Sequence, residues 1–255
     1  MSTQNHSKLR TLFSLIQPGG IVLAPWLEQQ GISRDLQQHY IKSGWLKSFG
    51  RGAYQRPEDE VHWQGAVNAI QNQTEINVHL GAISALSLQG LSHYLRLGEE
   101  PIFLFSPHKH KLPKWFTDHD WEHPVRHKKS SFLSGDIGIS ESKDGQISVR
   151  VSVPERAIME CLFLAPREMD LVECYQVMEG LVNLQPGLVM ELLEKCNSVH
   201  VKRLFLYMAE RARHQWFGHL DSEKVDIGEG NRRVVPGGVY NSKYKISVPR
   251  EITGP

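Results

Sequence analysis

With 255 residues, 40% of them hydrophobic and 22% charged, the chain has the composition of a folded globular protein and can bury a sizeable core, which excludes a disordered or fibrous class. Cys161, Cys174 and Cys196 are odd in number and form no C-x-x-C pair, so the expectation is reduced, buried thiols in a cytoplasmic protein, with no secretory signal in MSTQNHSKLRTLF and no run long enough to span a membrane. The net charge of +1 hides an asymmetry: residues 1–57 carry seven basic against two acidic side chains, a net of +5, which leaves the remainder at −4.

Ser7 to Gln17 holds Leu9, Leu12, Phe13, Leu15 and Ile16, a pattern that predicts an amphipathic first helix with Ser7 as its cap. Pro18-Gly19-Gly20 ends it, and Ile21-Val22-Leu23 predicts a short strand that pairs with a wing. Ala24-Pro25 opens the next helix, with proline where its missing N–H costs nothing, and Gly31 supplies the positive φ that closes it. Ser33 stands where an N-cap belongs. The helix that follows, Arg34 to Ser43, sets Leu36 and Tyr40 on one face and Arg34, Gln37, Gln38 and Lys42 on the other. Gly44 stops it, Trp45-Leu46 begins a strand, Gly50-Arg51-Gly52 predicts a hairpin tip, and Ala53-Tyr54-Gln55 returns.

Residues 1–57 therefore read as a winged helix-turn-helix. A helix face of this kind suits the major groove, since Arg pairs with guanine, Gln with adenine, and Lys with guanine or phosphate. The expected DNA contacts are Ser33, Arg34, Gln37, Gln38 and Lys42 on the helix, with Lys47, Arg51 and Arg56 on and beside the wing. The competing reading is a winged helix used only for protein contacts, with these side chains merely solvated. The concentration of positive charge in the head favours DNA.

Arg56-Pro57-Glu58-Asp59-Glu60 is the expected domain boundary, because proline disfavours helix before it and three acids then suit a helix start. A helix over about 61–71, an apolar segment over 78–91 and a buried strand at Pro101–Phe105 follow. Ser106 to Ser130 gathers His108, His110, His119, His123 and His127 among six Lys and Arg side chains. Its spacings match no zinc pattern and its prolines argue for loop, so no metal or other cofactor is expected; a basic surface for an acidic partner or phosphate is the better reading. Asp136–Ile139 and Gln146–Val151 alternate around a turn at Lys143-Asp144-Gly145 and predict a hairpin. Asp136, Glu141 and Lys143 loosely resemble a nuclease set, but there the Glu and Lys sit on a strand, whereas here the turn is expected to take them.

Ser152-Val153-Pro154-Glu155 has capping-box spacing and opens a helix to Leu164. Helices over about 170–184, 188–195 and 199–213 follow, and the tail reads as turn and strand. The fold class is thus α+β: an N-terminal winged helix-turn-helix domain, 1–57, followed by a larger, mainly helical mixed α/β domain, 58–255.

The whole chain resembles the AbiEi antitoxins of type IV toxin–antitoxin systems, a family associated with abortive infection. The resemblance rests on Gly31-Ile32-Ser33, Ser43-Gly44-Trp45-Leu46 and Gly50-Arg51-Gly52-Ala53-Tyr54 in the head. In the body it rests on Ser152-Val153-Pro154-Glu155-Arg156-Ala157, Lys202-Arg203-Leu204-Phe205-Leu206, His214-Gln215-Trp216 and Pro236-Gly237-Gly238-Val239-Tyr240. It implies a head that binds inverted repeats of double-stranded DNA in its own promoter and represses transcription. It also implies a body that counteracts a nucleotidyltransferase toxin without forming a stable complex. Two alternatives remain open: a winged-helix transcription factor whose body senses a ligand, and a DNA-directed nuclease, for which no recognised nucleophile–base or carboxylate spacing is present. The adjacent reading frame separates the antitoxin from the ligand sensor.

Overall fold

The computed structural model describes residues 3–91, 100–133 and 135–253. It is α+β, 43% helix and 18% strand. The chain divides into two compact units, one made of residues 1–79, 104–129 and 141–150, the other of residues 80–103, 130–140 and 151–255.

The first unit begins with α1 (Thr3–Leu15), so Ser7 lies inside the helix rather than at its cap. Strand β1 (Val22–Leu23), helices α2 (Ala24–Gln29) and α3 (Arg34–Lys42), and strands β2 (Lys47–Gly50) and β3 (Ala53–Gln55) complete the winged module. Its three strands are ordered β1-β3-β2; Val22 faces Tyr54 and Leu23 faces Ala53, as the expected wing pairing requires. Leu12, Ile16, Val22, Leu27, Ile32, Tyr40 and Leu46 form one buried cluster, which is where the apolar stripes of all three helices meet.

Helix α4 (Trp63–Gln73) packs directly on this module within the same unit. It starts after His62 with no acid in its first turn, because Asp59 is used elsewhere: its carboxylate accepts the Gly19 N–H at 2.8 Å. Gly65 is the contact point, since a Cβ there would lie 2.1 Å from the Gly19 carbonyl oxygen. The Gln73 carboxamide donates to the Ile21 carbonyl and accepts the Leu23 N–H, both at 2.8 Å.

The apolar segment 78–91 resolves into strand β4 (His79–Leu80) and helix α5 (Ala82–Leu88). Strand β5 (Ile102–Ser106) is buried throughout, as its composition predicts. The stretch expected to be loop contains a short helix, α6 (Lys114–Thr117), and strand β6 (Val125–Lys129). Strands β7 (Ile139–Asp144) and β8 (Ile147–Ser152) form a hairpin that turns at Gly145-Gln146, so its first strand begins at Ile139 rather than Asp136 and takes in Lys143 and Asp144, which were expected in the turn. These five strands form a sheet ordered β6-β5-β4-β8-β7.

The second unit is mainly helical: α7 (Pro154–Leu164), α8 (Leu171–Gly180), α9 (Pro186–Lys195) and α10 (Val199–Ala212). The capping box at Ser152 does not form. Val153 is the N-cap, the Ser152 hydroxyl instead donates to Glu160 at 2.8 Å, and Glu155 accepts the Gln185 N–H at 2.8 Å. Glu160 also accepts the Ala82 N–H and pairs with Arg156 at 2.9 Å, both side chains being buried. The tail adds three short strands, β9 (Arg232–Arg233), β10 (Val239–Asn241) and β11 (Ile246–Val248), ordered β10-β11-β9. They are organised around Arg203 of α10, wholly buried, whose guanidinium donates to the carbonyls of Ile227, Gly228, Glu229, Gly230 and Lys245.

Candidate nucleic-acid interface

Helix α3, the candidate recognition helix, is fixed at its start by local signals. Gly31 takes φ +81° and ends α2, while the Ser33 hydroxyl accepts the Leu36 N–H at 3.4 Å and caps α3. Within α3, Gln37 and Tyr40 are buried, Leu36 and Ile41 are half-buried, and Arg34, Asp35, Gln38, His39 and Lys42 are exposed. The arc open to solvent therefore runs through Arg34, Gln38 and Lys42 at four-residue spacing. Arg34 is well exposed and pairs with Glu28 of α2, a surface contact that partners in solution can displace.

Gln37 departs from the expected exposed face. It is 1% exposed, and its side-chain amide donates to the carbonyls of Ala24 at 3.1 Å and Ile32 at 2.9 Å. These two carbonyls flank α2, so Gln37 fixes the angle of the helix-turn-helix from within. Arg56 is likewise turned inward: its guanidinium donates to the carbonyls of Phe13, at 2.9 Å, and Ile16, and lies 5.7 Å from the centre of the Phe13 ring. Ser33, Lys47 and Arg51 are exposed at the helix start, on β2 and at the hairpin tip respectively.

Two surface residues escaped the sequence reading. His39 is exposed beside Gln38 on the open arc of α3. Trp45 is 42% exposed just past the end of that helix, edge-on to Phe13 at 5.7 Å. It is a large aromatic side chain left open beside α3.

The wing is braced on its other side by the histidine-rich stretch. Phe49 of β2 lies 4.5 Å from the His119 ring and 5.9 Å from the stacked Trp121 ring, and meets Trp115 edge-on at 6.1 Å. A Cβ at Gly50 would come 2.9 Å from that of Trp115. Ser106 and His127 are in hydrogen-bond contact at 2.7 Å. Burial and the neighbouring Lys129, His110 and Lys128 hold the His127 pKa below its usual value.

The nuclease-like residues take other places than their expected turn. Glu141 and Lys143 lie on β7 rather than in the approach to a turn, both exposed, and Glu141 accepts from the Ser148 hydroxyl at 3.0 Å. Asp136 precedes the strand. In the second unit, Asp170 caps α8 by accepting the N–H groups of Val172 and Glu173.

Comparison with known proteins covers nearly the whole chain in two consecutive matches. No curated protein matches the chain. The fold is similar to that of the crystal structure of the RV2827C protein from Mycobacterium tuberculosis, at a TM-score of 0.59 and 14% identity over 96% of this chain and 92% of that one. Residues 5–97 match the N-terminal domain of the AbiEi antitoxin transcriptional regulators, and residues 99–249 match the AbiEi antitoxin transcriptional regulators of type IV toxin–antitoxin systems. The chain belongs to the AbiEi family of antitoxin transcriptional regulators.

Proposed function

We propose that the protein is a non-enzymatic autoregulator that binds inverted repeats of double-stranded DNA in its own promoter and represses transcription. In this reading it also counteracts a nucleotidyltransferase toxin encoded beside it, without a stable complex, and works in the cytoplasm. The observation that carries the DNA half is the open arc of α3: Arg34, Gln38 and Lys42 project from a helix whose opposite side is locked into the core through Tyr40 and Gln37. Arg34 and Gln38 have the chemistry to read guanine and adenine edges, Ser33 caps the helix where a phosphate would approach, and Lys47 and Arg51 supply charge along the backbone. Gln37 and Arg56 act behind this surface by holding it in shape. The head, 1–57, carries the DNA contacts in this proposal, and residues 58–255 carry the antitoxin activity. The family description, antitoxin and transcriptional regulator together, supports both halves.

The test is footprinting of the full chain on the upstream repeats, beside a promoter reporter and co-expression with the neighbouring toxin. Protection of both repeats, repression of the reporter and rescue of growth are expected. A chain that rescues growth but leaves the repeats unprotected would remove the DNA half of the proposal.

A further inference from the structure

We propose that Glu60, His62 and Glu122 form a binding site for a divalent transition metal ion of the zinc class. Their donor atoms lie within 4.8 Å of one another although Glu122 is 60 residues from His62 in the chain. Ligands about 2.0–2.2 Å from a metal stand up to roughly 4 Å apart, so small side-chain rotations close the set. Two carboxylates approach each other here, and neither has a lysine or arginine partner among the described residues. A cation removes the repulsion that this arrangement carries when empty.

The three donors are exposed and share one cleft of about 310 Å³, to which His119 and Asp120 also contribute, so a fourth donor or a water can complete the coordination. Both contributing segments are fixed by bonds that the donors do not make. The His62 carbonyl accepts the N–H of Gly65 at 3.1 Å at the start of α4, and the indole of Trp121, next to Glu122, donates to the Phe116 carbonyl at 2.9 Å. Imidazole with carboxylate suits zinc, cobalt, nickel or iron, whereas calcium and magnesium prefer an all-oxygen shell. Bound there, the ion clamps residues 60–62 to the 119–122 turn, the same turn whose His119 and Trp121 brace the wing at Phe49.

Cobalt(II) is the probe, because its visible d–d absorption reports the ligand set. The full chain, stripped with chelator, is titrated with cobalt chloride and then with zinc chloride. One equivalent of cobalt is expected to bind with d–d absorption, to be displaced by zinc, and to raise the thermal midpoint. His62→Ala abolishes this uptake. Glu122→Gln weakens it by about tenfold or more, since even residues that merely orient a ligand cost about that much. Both positions are exposed, so the variants keep the fold. His108→Ala/His110→Ala, outside the cleft, leaves uptake intact. Uptake that is unchanged in His62→Ala and Glu122→Gln, or an absence of saturable uptake in the parent chain, overturns the proposal.

Discussion

Gln37 and Gln38 are adjacent, identical in chemistry and opposite in task. Gln37 satisfies two carbonyls inside the helix-turn-helix, and Gln38 faces solvent. Replacing Gln37 with alanine removes both of these buried hydrogen bonds and should lower stability by about 1–3 kcal/mol, measured by urea unfolding. Replacing Arg34 or Gln38 with alanine should leave the unfolding midpoint alone. Each should instead weaken operator binding by about 1–3 kcal/mol and relax preference at one base pair, read by gel shift on operator variants. The distinction was available in the spacing: position 37 lies between 36 and 40, on the stripe that faces the core, and only polarity argued for putting it outside. Arg56 was harder to place, because nothing local says that a guanidinium will turn back to the end of the first helix 40 residues earlier.

At the level of elements, the head was readable because its signals are local: a proline start, two glycine stops and a serine cap all fall where the structure uses them. The wing follows from the same logic, and Lys47→Ala or Arg51→Ala should reduce affinity about equally on operator and random DNA while lowering the salt slope by roughly one unit. Helix α4 was placed two residues early because its preceding acids looked like a first turn, whereas Asp59 is committed to Gly19. Gly65→Ala forces a methyl into the Gly19 carbonyl and should cost about 1–3 kcal/mol, seen as a lower thermal midpoint. The capping box failed for a related reason: a buried network of Ser152, Arg156 and Glu160 outcompeted the cap. In two of the body motifs that carry the resemblance, the polar residues Ser152, Glu155, Arg156, Lys202 and Arg203 are buried, so those two motifs record how the second unit is built.

Over the molecule as a whole, buried ionisable groups set how stability responds to pH and to loss of charge. Arg156 and Glu160 are paired out of solvent, and Glu160→Ala should cost about 3–5 kcal/mol because it leaves a buried guanidinium short of its counter-charge. His127 and His200 both have pKa values held below the usual 6.5, chiefly by burial. The unfolded chain therefore takes up protons first as pH falls. The stability these residues contribute is complete above about pH 6.5 and is lost as pH drops toward their depressed folded values. Urea midpoints should accordingly fall below about pH 6.5, and less steeply in His127→Asn/His200→Asn. No helix among the described residues is long and apolar enough to cross a membrane.

The carboxamide of Gln73 has a consequence beyond packing. By donating to Ile21 and accepting from Leu23 it reproduces a peptide group, and it occupies the outer side of β1, an edge of the three-stranded sheet. An unpaired edge is a template on which another chain can add a strand. A side chain thus does the work of a neighbouring strand without offering a further edge of its own. A fragment cut at residue 57 loses this plug and should self-associate through β1, whereas one extended to residue 79 should stay monomeric. Size-exclusion chromatography across a concentration series would separate the two, and Gln73→Leu in the longer fragment should restore the association.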